Sequence, residues 1–125
     1  MKIFCIHGNF QTSKVWQSLE DRLKAEISDL EVVAEDLFAE QFVGFDDWTE
    51  DFCNRVEPEA NGEQSILLGY SLGGRLALHA CISQPNLWQT AIVVGVDPGL
   101  ESEEEKRLQL DRDRNWAERL KREPL

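Results

Sequence analysis

Ser71 is the residue whose neighbours point most directly to chemistry. It lies at the centre of Gly-Tyr-Ser-Leu-Gly, residues 69–73, after an apolar run at 65–68 and before a helix-forming run that begins at Arg75. A strand, a sharp turn and a helix would raise the serine hydroxyl at the apex, and the flanking glycines remove side chains that would collide there. Free N–H groups at the helix start would point at the same spot. The pattern predicts a nucleophilic serine, and a glycine-rich turn that only packs tightly is the alternative.

A second turn supplies candidate partners for this serine. The first apolar run of the chain ends in His-Gly-Asn-Phe, residues 7–10, which is the order of a strand followed by a loop. The backbone N–H of Asn9 or Phe10, together with that of Leu72, would form an oxyanion hole. The two turns together are typical of the nucleophile elbow and the adjoining loop of the α/β-hydrolase fold.

The elements that must position these groups alternate along the chain, as in a parallel sheet flanked by helices. The hydrophobic pattern predicts about four strands, at residues 2–6, 30–34, 65–68 and 91–96, the last of them buried on both faces. It predicts helices at residues 13–26, 45–56 and 75–83, with Ser13 as the first N-cap and Pro58 ending the second helix. Residues 1–100 are thus the expected N-terminal part of an α/β-hydrolase core.

The last part of the chain, residues 101–125, is expected to form the first helix of a cap. Residues 101–122 are highly charged and carry a sparse apolar set that includes Trp116 and Leu120, one helical turn apart. A cap inserted over the serine would give these two side chains a surface to bury against. Trp116 is for this reason among the candidate substrate-binding residues.

Composition limits the classes of function. The chain has 125 residues, 42% of them apolar, which fits one small domain. Its net charge of −11 argues against nucleic acid or an anionic membrane surface as a partner. No apolar run approaches the roughly 20 residues of a membrane-spanning helix, and no signal-peptide pattern is present. Cys5, Cys53 and Cys81 predict reduced, buried thiols in a cytoplasmic protein, and two distant histidines offer no metal site.

Arg75 is a candidate ligand for a substrate carboxylate. It is the one Lys or Arg between Arg55 and Lys106, and it follows Ser71 by one helical turn. A guanidinium at that position could reach the mouth of the site and hold a carboxylate. The alternative is a solvated or salt-bridged helix arginine.

Further motifs are shared with one enzyme family. Besides Gly-Tyr-Ser-Leu-Gly-Gly-Arg at 69–75, they are Pro-Gly-Leu at 98–100, Glu-Glu-Glu-Lys-Arg at 103–107, Asp-Arg-Asn-Trp-Ala at 113–117 and Glu-Pro-Leu at 123–125. With these motifs the chain resembles, over essentially its whole length, the 2-succinyl-6-hydroxy-2,4-cyclohexadiene-1-carboxylate synthases. These are lyases of menaquinone and phylloquinone biosynthesis built on the α/β-hydrolase fold.

The resemblance implies a mechanism and a set of site residues. A serine, a histidine and an aspartate would act as a base that removes a proton from the substrate, and pyruvate would be eliminated without hydrolysis. Ser71 matches the family's serine, Asn9 and Leu72 its oxyanion-hole positions, Tyr70 a residue that lines the site, and Arg75 the arginine that binds a substrate carboxylate. The expected partner is a small-molecule carboxylate, and no cofactor is expected.

The chain departs from the family in its loop and in its cap. The family usually has His-Gly-Phe where this chain has His-Gly-Asn-Phe, which leaves the oxyanion donor open between Asn9 and Phe10. The family's cap-helix arginine falls at Gln109, so Arg107 and Arg112 are the candidate replacements. An acidic residue, Asp97, replaces an uncharged one, and we expect it to cap a loop, with a catalytic acid as the alternative.

The family's catalytic aspartate and histidine come after two further strands beyond the cap, whereas this chain stops at Leu125. His79 lies about two turns beyond the serine on the predicted helix, where a satisfied helix histidine is expected. His7 is expected to serve structure, with a surrogate base as the alternative. The chain therefore reads as the N-terminal half of a longer enzyme, with little or no turnover by itself.

The predicted strand from Ala91 to Val96 has no later strand to cover its edge. Such an edge invites self-association or pairing with a second chain. Two alternatives to the lyase remain open at this stage: a serine esterase or thioesterase on the same fold, and a non-enzymatic remnant.

Overall fold

Four parallel strands form one sheet, in a computed structural model that describes residues 1–39, 43–97 and 102–122. The strands are β1 (Lys2–Ile6), β2 (Glu31–Glu35), β3 (Ser65–Tyr70) and β4 (Trp88–Val94), and their order across the sheet is β2-β1-β3-β4. All three pairings are parallel. The predicted α/β fold class is confirmed.

Helices cover the sheet from both sides. Helix α1 (Gln17–Glu26) lies on one face, and α2 (Phe45–Ala60) and α3 (Leu72–Ser83) lie on the other. Helix α4 (Glu103–Arg122) follows β4 and contributes no buried residue, and short 3₁₀ turns occur at Ser13–Trp16 and Pro85–Leu87. After β1 the chain adds β2 on one side of it and then crosses over to add β3 on the other side. The order of the strands therefore reverses at β1 and β3. Ligands bind in the crevice at the carboxyl ends of such strands, and the loops after β1 and β3 meet there.

The larger core lies between the sheet and helices α2 and α3. Its centre is an aromatic cluster in which Phe52 meets Phe4 edge-on at 5.8 Å and stacks on Trp48 at 4.7 Å and Trp88 at 5.7 Å, measured between ring centroids. Phe52 and Leu67 are fully buried. Aromatic pairs of this kind add stabilisation beyond the area that they bury, so this cluster holds α2 against β1 and against the first residue of β4.

The opposite face has a smaller core under α1. The buried sheet residues there include Ile3, Cys5 and Leu68, and the α1 side contributes the half-buried Leu19 and Leu23. Because α1 does not extend over β4, the β4 residues on this face stay exposed.

Several predicted boundaries are wrong by small amounts. Thr12, not Ser13, caps the first helical segment, since its Oγ1 accepts a hydrogen bond from the Lys14 N–H. Helix α2 continues past Pro58, because the ring lies in the last turn and the helix ends where Asn61 adopts the left-handed conformation. Strand β2 is shifted by one residue, and β3 extends to Tyr70. The predicted end of α3 at Ser83 is confirmed.

The prediction for the last strand is wrong in both position and burial. Strand β4 runs from Trp88 to Val94, and Ile92 and Val94 are 48% and 50% exposed. An apolar run indicates burial only where other elements cover it, and within the described residues nothing pairs with the outer edge of β4. That strand carries no charge, whereas the opposite edge of the sheet has Glu31 and Glu35. Charged side chains protect an edge strand from pairing, so within the described residues the β4 edge is the one without this protection.

If the protein associates with itself through this edge, Ile92→Lys should lower its apparent mass at high concentration. The lysine places a charge beside the unpaired backbone groups, and a second strand could dock only by desolvating it. Sedimentation velocity across a concentration series measures the effect. Ile82→Lys is the matched control, since Ile82 is 81% exposed but lies on α3 and not on the sheet. Equal effects of the two changes would contradict edge pairing.

Helix α4 is stabilised by interactions within the helix itself. The Ser102 hydroxyl accepts a hydrogen bond from the Glu105 N–H at 3.0 Å, three acidic residues fill the first turn and three basic residues the last. These features satisfy free amides and match the helix dipole. No residue of α4 is buried, and Trp116 is 59% exposed. The predicted start at 101 and the boundary between residues 1–100 and 101–125 fall among residues outside the described ranges.

None of the helices in the described ranges combines the length and the apolar character needed to cross a bilayer. Those same ranges contain no group of three or more His, Cys, Asp or Glu side chains placed to hold a metal ion.

Candidate active site

Ser71 sits on a strained bend between β3 and α3. Its backbone has φ 53° and ψ −117°, a region that L residues other than glycine rarely adopt. The bend is held because the Ser71 N–H donates to the Val94 carbonyl at 2.9 Å, and the Ser71 carbonyl accepts from the Arg75 N–H at 3.2 Å. The predicted strand, turn and helix are all present, and the serine is half-buried at the apex.

Two glycines of the motif are required by contact with the backbone. A Cβ built on Gly73 would overlap the carbonyl oxygens of Ile6 and His7, at the end of β1. A Cβ on Gly69 would lie 2.6 Å from the Cα of Gly74. Helix α3 therefore starts in direct contact with the strand that leads to the second turn.

The loop after β1 lies against the elbow. A Cβ built on Gly8 would come within 3.2 Å of the Ser71 Cβ and 3.1 Å of the Tyr70 Cδ1. The Tyr70 ring also lies 3.3 Å from a Cβ built on Gly95, so it is bracketed by two loops while remaining 41% exposed. The Gly8 N–H donates to the Gln11 side-chain oxygen at 2.9 Å, which fixes the loop just before its candidate oxyanion donors.

His7 holds this loop in place from inside the protein. Its side chain is fully buried, its Nδ1 lies 2.7 Å from the Gly8 carbonyl oxygen, and its Nε2 lies 3.0 Å from the Leu37 backbone nitrogen. A carbonyl can only accept and an amide can only donate, so Nδ1 carries the hydrogen and Nε2 accepts. Both ring nitrogens are used, which confirms the structural role over the surrogate base.

A cavity of about 710 Å³ opens above Ser71, between the elbow and α4. Asn9, Ser71, Leu72 and Arg75 all line it, so four of the predicted site residues meet in one space. The remaining described lining residues are Gly95, Asp97, Lys106, Gln109 and Asp113.

The backbone amides of Leu72 and Asn9, two residues that line this cavity, are the candidate donors to an oxyanion. Leu72 is the first residue of α3, where a backbone N–H has no partner within the helix. Asn9 lines the cavity, whereas Phe10 does not and is 95% exposed with φ 61°. The geometry favours Asn9 as the first donor, and the hole itself remains a prediction.

On α4, the described residues that line the cavity are not the three that were predicted. Lys106, Gln109 and Asp113 line the cavity, while Arg107, Arg112 and Trp116 are not among its described lining residues. At 3.6 residues per turn, positions 106, 109 and 113 share a face, and positions 107 and 112 lie about 130° and about 90° from its centre. Polar residues occur on all sides of α4, so their spacing does not indicate which of them line the cavity.

Arg75 and Lys106 are the two basic side chains that the cavity receives from described residues. Arg75 is exposed, and its guanidinium carbon lies 5.3 Å from the Phe45 ring centroid, a cation–π contact that holds it over the end of α2. Lys106 pairs with Glu103 at 3.3 Å on the helix surface. On the acidic side, Asp113 accepts a hydrogen bond from the Gln109 amide at 2.9 Å.

The thiols of Cys5 and Cys53 are unreactive at neutral pH. Burial raises the pKa of the Cys5 thiol to about 12, with a smaller contribution from Glu20, and raises that of Cys53 to about 11, with a smaller contribution from Cys81. Both stay protonated at neutral pH, and it is the thiolate that reacts. All three cysteines are free, and Cys81 is only half-buried, so the prediction of full burial is wrong for that residue.

The family model described as Alpha/beta hydrolase family matches residues 3–124. The chain belongs to this family. Among its relatives, the 2-succinyl-6-hydroxy-2,4-cyclohexadiene-1-carboxylate synthase of Serratia proteamaculans (strain 568) is 48% identical over 64 residues, which are 50% of this chain and 25% of the relative. The synthase of Yersinia pestis (strain Pestoides F) is 45% identical over 69 residues, or 54% and 25%. The matched segment thus spans about a quarter of each relative.

Solved structures agree on the alpha/beta hydrolase fold. MenH from S. aureus superposes with a TM-score of 0.72 at 18% identity, over 97% of this chain and 47% of that one. A thioesterase domain from the curacin biosynthetic pathway gives 0.69 at 24% identity, over 90% and 44%. Identities this low show the fold alone.

In this alpha/beta hydrolase chain, the described cavity lining contains no histidine. The sequence has two, and His7 is committed to its loop. His79 packs edge-on against Phe45 at 5.0 Å between ring centroids and lies 4.0 Å from the Asp46 carboxylate. It is therefore a helix-surface histidine, as expected.

Proposed function

We propose that this chain forms part of a cytoplasmic lyase that eliminates pyruvate to give 2-succinyl-6-hydroxy-2,4-cyclohexadiene-1-carboxylate. The observation that carries the proposal is a single cavity lined by Ser71, by Asn9 and Leu72, and by Arg75. Relatives at 45–48% identity are named as synthases of that product, and the chain spans about a quarter of their length. The three free cysteines fit a reducing compartment.

In the proposed mechanism, Ser71 works as a base and forms no ester. A histidine takes the proton of the Ser71 hydroxyl, and the resulting alkoxide takes a proton from a substrate carbon. The electron pair left on that carbon forms a C=C bond and breaks the C–O bond to the leaving group, which departs as the enolate of pyruvate and gains the proton held by the histidine. Negative charge develops on a substrate oxygen during this step, and the N–H groups of Asn9 and Leu72 stabilise it. Arg75 holds a carboxylate through charge-assisted hydrogen bonds and so fixes the substrate over the serine.

The histidine that activates Ser71 comes, in this proposal, from outside these 125 residues. His7 uses both ring nitrogens in buried hydrogen bonds, and His79 contacts Phe45 and Asp46 on the surface of α3. Neither is available to take the serine proton. The isolated chain is therefore expected to bind a carboxylate ligand with little or no turnover.

The test is a pyruvate-release assay on the protein as its source cells express it. Lactate dehydrogenase reduces the released pyruvate, and the accompanying loss of NADH is recorded. The synthase substrate is compared with p-nitrophenyl esters. We expect pyruvate release without ester cleavage. Ester cleavage without pyruvate would support a serine esterase or thioesterase instead. If the protein shows neither activity, the result would support a non-enzymatic remnant. The described lining of the cavity contains no histidine, which favours that alternative.

Arg75→Ala is expected to lower kcat/KM for the synthase substrate by a factor of roughly 30 to 150, equivalent to about 2–3 kcal/mol for a lost charge-assisted hydrogen bond. Steady-state pyruvate release measures it. Arg22→Ala is the control, because Arg22 is an exposed arginine of α1 outside the cavity lining. Unchanged kinetics in Arg75→Ala would remove the argument for a carboxylate substrate.

A further inference from the structure

Helix α2 has two phenylalanine rings that each contact an arginine, and the two arginines differ in their other partners. The guanidinium carbon of Arg55 lies 5.8 Å from the Phe52 ring centroid, and its N–H groups donate to two carboxylates, one on β2 and one on α2 itself. The guanidinium carbon of Arg75 lies 5.3 Å from the Phe45 ring centroid. Within the described ranges no carboxylate pairs with Arg75. Its N–H groups therefore remain available to a ligand.

The Phe45 ring is a fixed support for this arginine. Phe45 is the first residue of α2, and its half-buried ring packs against the larger core. Its carbonyl accepts a hydrogen bond from the Thr49 hydroxyl at 2.6 Å, and the His79 ring packs nearly perpendicular to it at 5.0 Å between centroids. Because both its backbone and its ring are in contact with neighbours, the ring has little freedom to turn away from Arg75.

The spacing on α3 brings two side chains to this ring. Positions 75 and 79 are one helical turn apart and share a face of the helix, so both side chains reach Phe45 across the contact between α2 and α3. Arg75 lines the cavity above Ser71, whereas Phe45 is not among the described lining residues. Phe45 can therefore act on the cavity only through Arg75.

The kind of contact matters for how Arg75 could bind a carboxylate. An exposed arginine samples many rotamers, and a ligand that holds it still must offset the lost side-chain entropy. An ion pair within the protein would order the side chain but would occupy its donors, as it does at Arg55. A ring face attracts the guanidinium through its electrons and leaves the N–H groups free to donate.

We infer that Phe45 is a positioning residue for the candidate site: its ring face orders the Arg75 guanidinium beside the cavity while leaving the N–H groups unpaired for a ligand carboxylate. The inference rests on the carboxylate-binding role of Arg75 in the proposed function and specifies how that role is prepared. Phe45 contributes to affinity without touching the ligand.

The test is a double-mutant cycle on the binding of propionate to the 125-residue chain, measured by NMR titration at constant ionic strength. Phe45→Leu removes the ring and should weaken binding about threefold, the order expected for a cation–π contact at an exposed site. Arg75→Ala should weaken binding about tenfold, and in that background Phe45→Leu should have no further effect. Phe45→Tyr keeps a ring and should bind propionate as the parent does.

Steady-state kinetics of the natively expressed protein separate positioning from a general loss of structure. Phe45→Leu should raise KM about threefold and leave kcat unchanged, because the ring acts on a binding group and not on the group that removes the proton. Phe45→Met removes the ring in the same way and should give the same result. Urea unfolding checks that each variant is folded.

Phe38→Leu is the matched control. It makes the same change at a phenylalanine that is 60% exposed, packs against the His7 ring and is not among the described lining residues of the cavity. It should leave propionate affinity and KM unchanged. An effect as large as that of Phe45→Leu would mean that the ring of Phe45 has no special role.

The outcomes distinguish this inference from the proposed function. The positioning role is overturned if propionate does not bind the parent, or if Phe45→Leu has the same effect with and without Arg75, even where pyruvate release is observed. If the two residues are coupled in binding as described but the natively expressed protein releases no pyruvate, the positioning role stands and the lyase proposal fails.

Discussion

Ser71→Ala abolishes pyruvate release in the natively expressed protein, with kcat expected to fall by at least about 10⁴-fold, as in enzymes whose catalytic serine is removed. The physical reason is that the hydroxyl at the apex of the elbow is the group placed between the cavity, the Leu72 amide and the Asn9 loop. The fold should persist, because the bend is held by backbone hydrogen bonds that do not involve the side chain. The coupled pyruvate assay and urea unfolding of the same preparation measure the two effects.

Ser71→Gly makes the same prediction sharper. Glycine adopts φ 53° without strain, so this variant should be equally inactive and yet more stable than the parent by about 1 kcal/mol. Ser83→Ala, at the exposed end of the same helix, should change neither activity nor stability by a measurable amount. Substantial kcat in Ser71→Ala would mean that another group removes the proton, and the proposed mechanism would be wrong.

The elbow was predictable from the sequence because the residues that meet its steric requirements lie close together in one motif. Gly69 and Gly73 are needed where the backbone of one element touches that of another, and no other residue type fits those contacts. The predicted turn and the end of α3 at Ser83 were therefore right. The pairing of the two loops followed from the parallel order of β1 and β3, whose carboxyl ends meet at one edge.

The facing side of α4 was not predictable in the same way. The apolar set of this helix is sparse, and its members Trp116 and Leu120 are 59% and 47% exposed, so packing does not fix one side of the helix against the core. Its arginines looked like the natural carboxylate ligands, but Lys106, Gln109 and Asp113 line the cavity. Orientation came from tertiary geometry, which residue identity alone does not encode.

The exposure of β4 illustrates a second limit. Its apolar sequence satisfies the pattern of a strand buried on both faces, but burial is a property of the neighbouring elements. In the described ranges α1 covers β1 and the start of β3, and it leaves Ile92 and Val94 uncovered. The burial of β4 was predicted wrongly because burial depends on the neighbouring elements, whereas the assignment of residues 91–94 to a strand was correct.

Gly73→Ala is expected to destabilise the protein by about 3 kcal/mol or more, a large fraction of the stability of a small domain. The added methyl group would overlap the carbonyl oxygens of Ile6 and His7, which are backbone atoms of β1 and its loop and cannot rotate away. Urea unfolding followed by tryptophan fluorescence measures the loss. Gly44→Ala is the matched control: a Cβ there has nothing within 4 Å, so it meets no overlap, and a loss of only about 1 kcal/mol is expected because Gly44 is the N-cap of α2.

The same substitution also tests how the candidate oxyanion donors are brought together. Any relief of the overlap must push the start of α3 away from the end of β1, and this motion separates the Leu72 amide from the Asn9 loop. A folded fraction of Gly73→Ala should consequently lose activity although Ser71 is intact. If the variant keeps both its stability and its pyruvate release, then α3 does not rest on β1, and the two amides do not act on one oxygen atom.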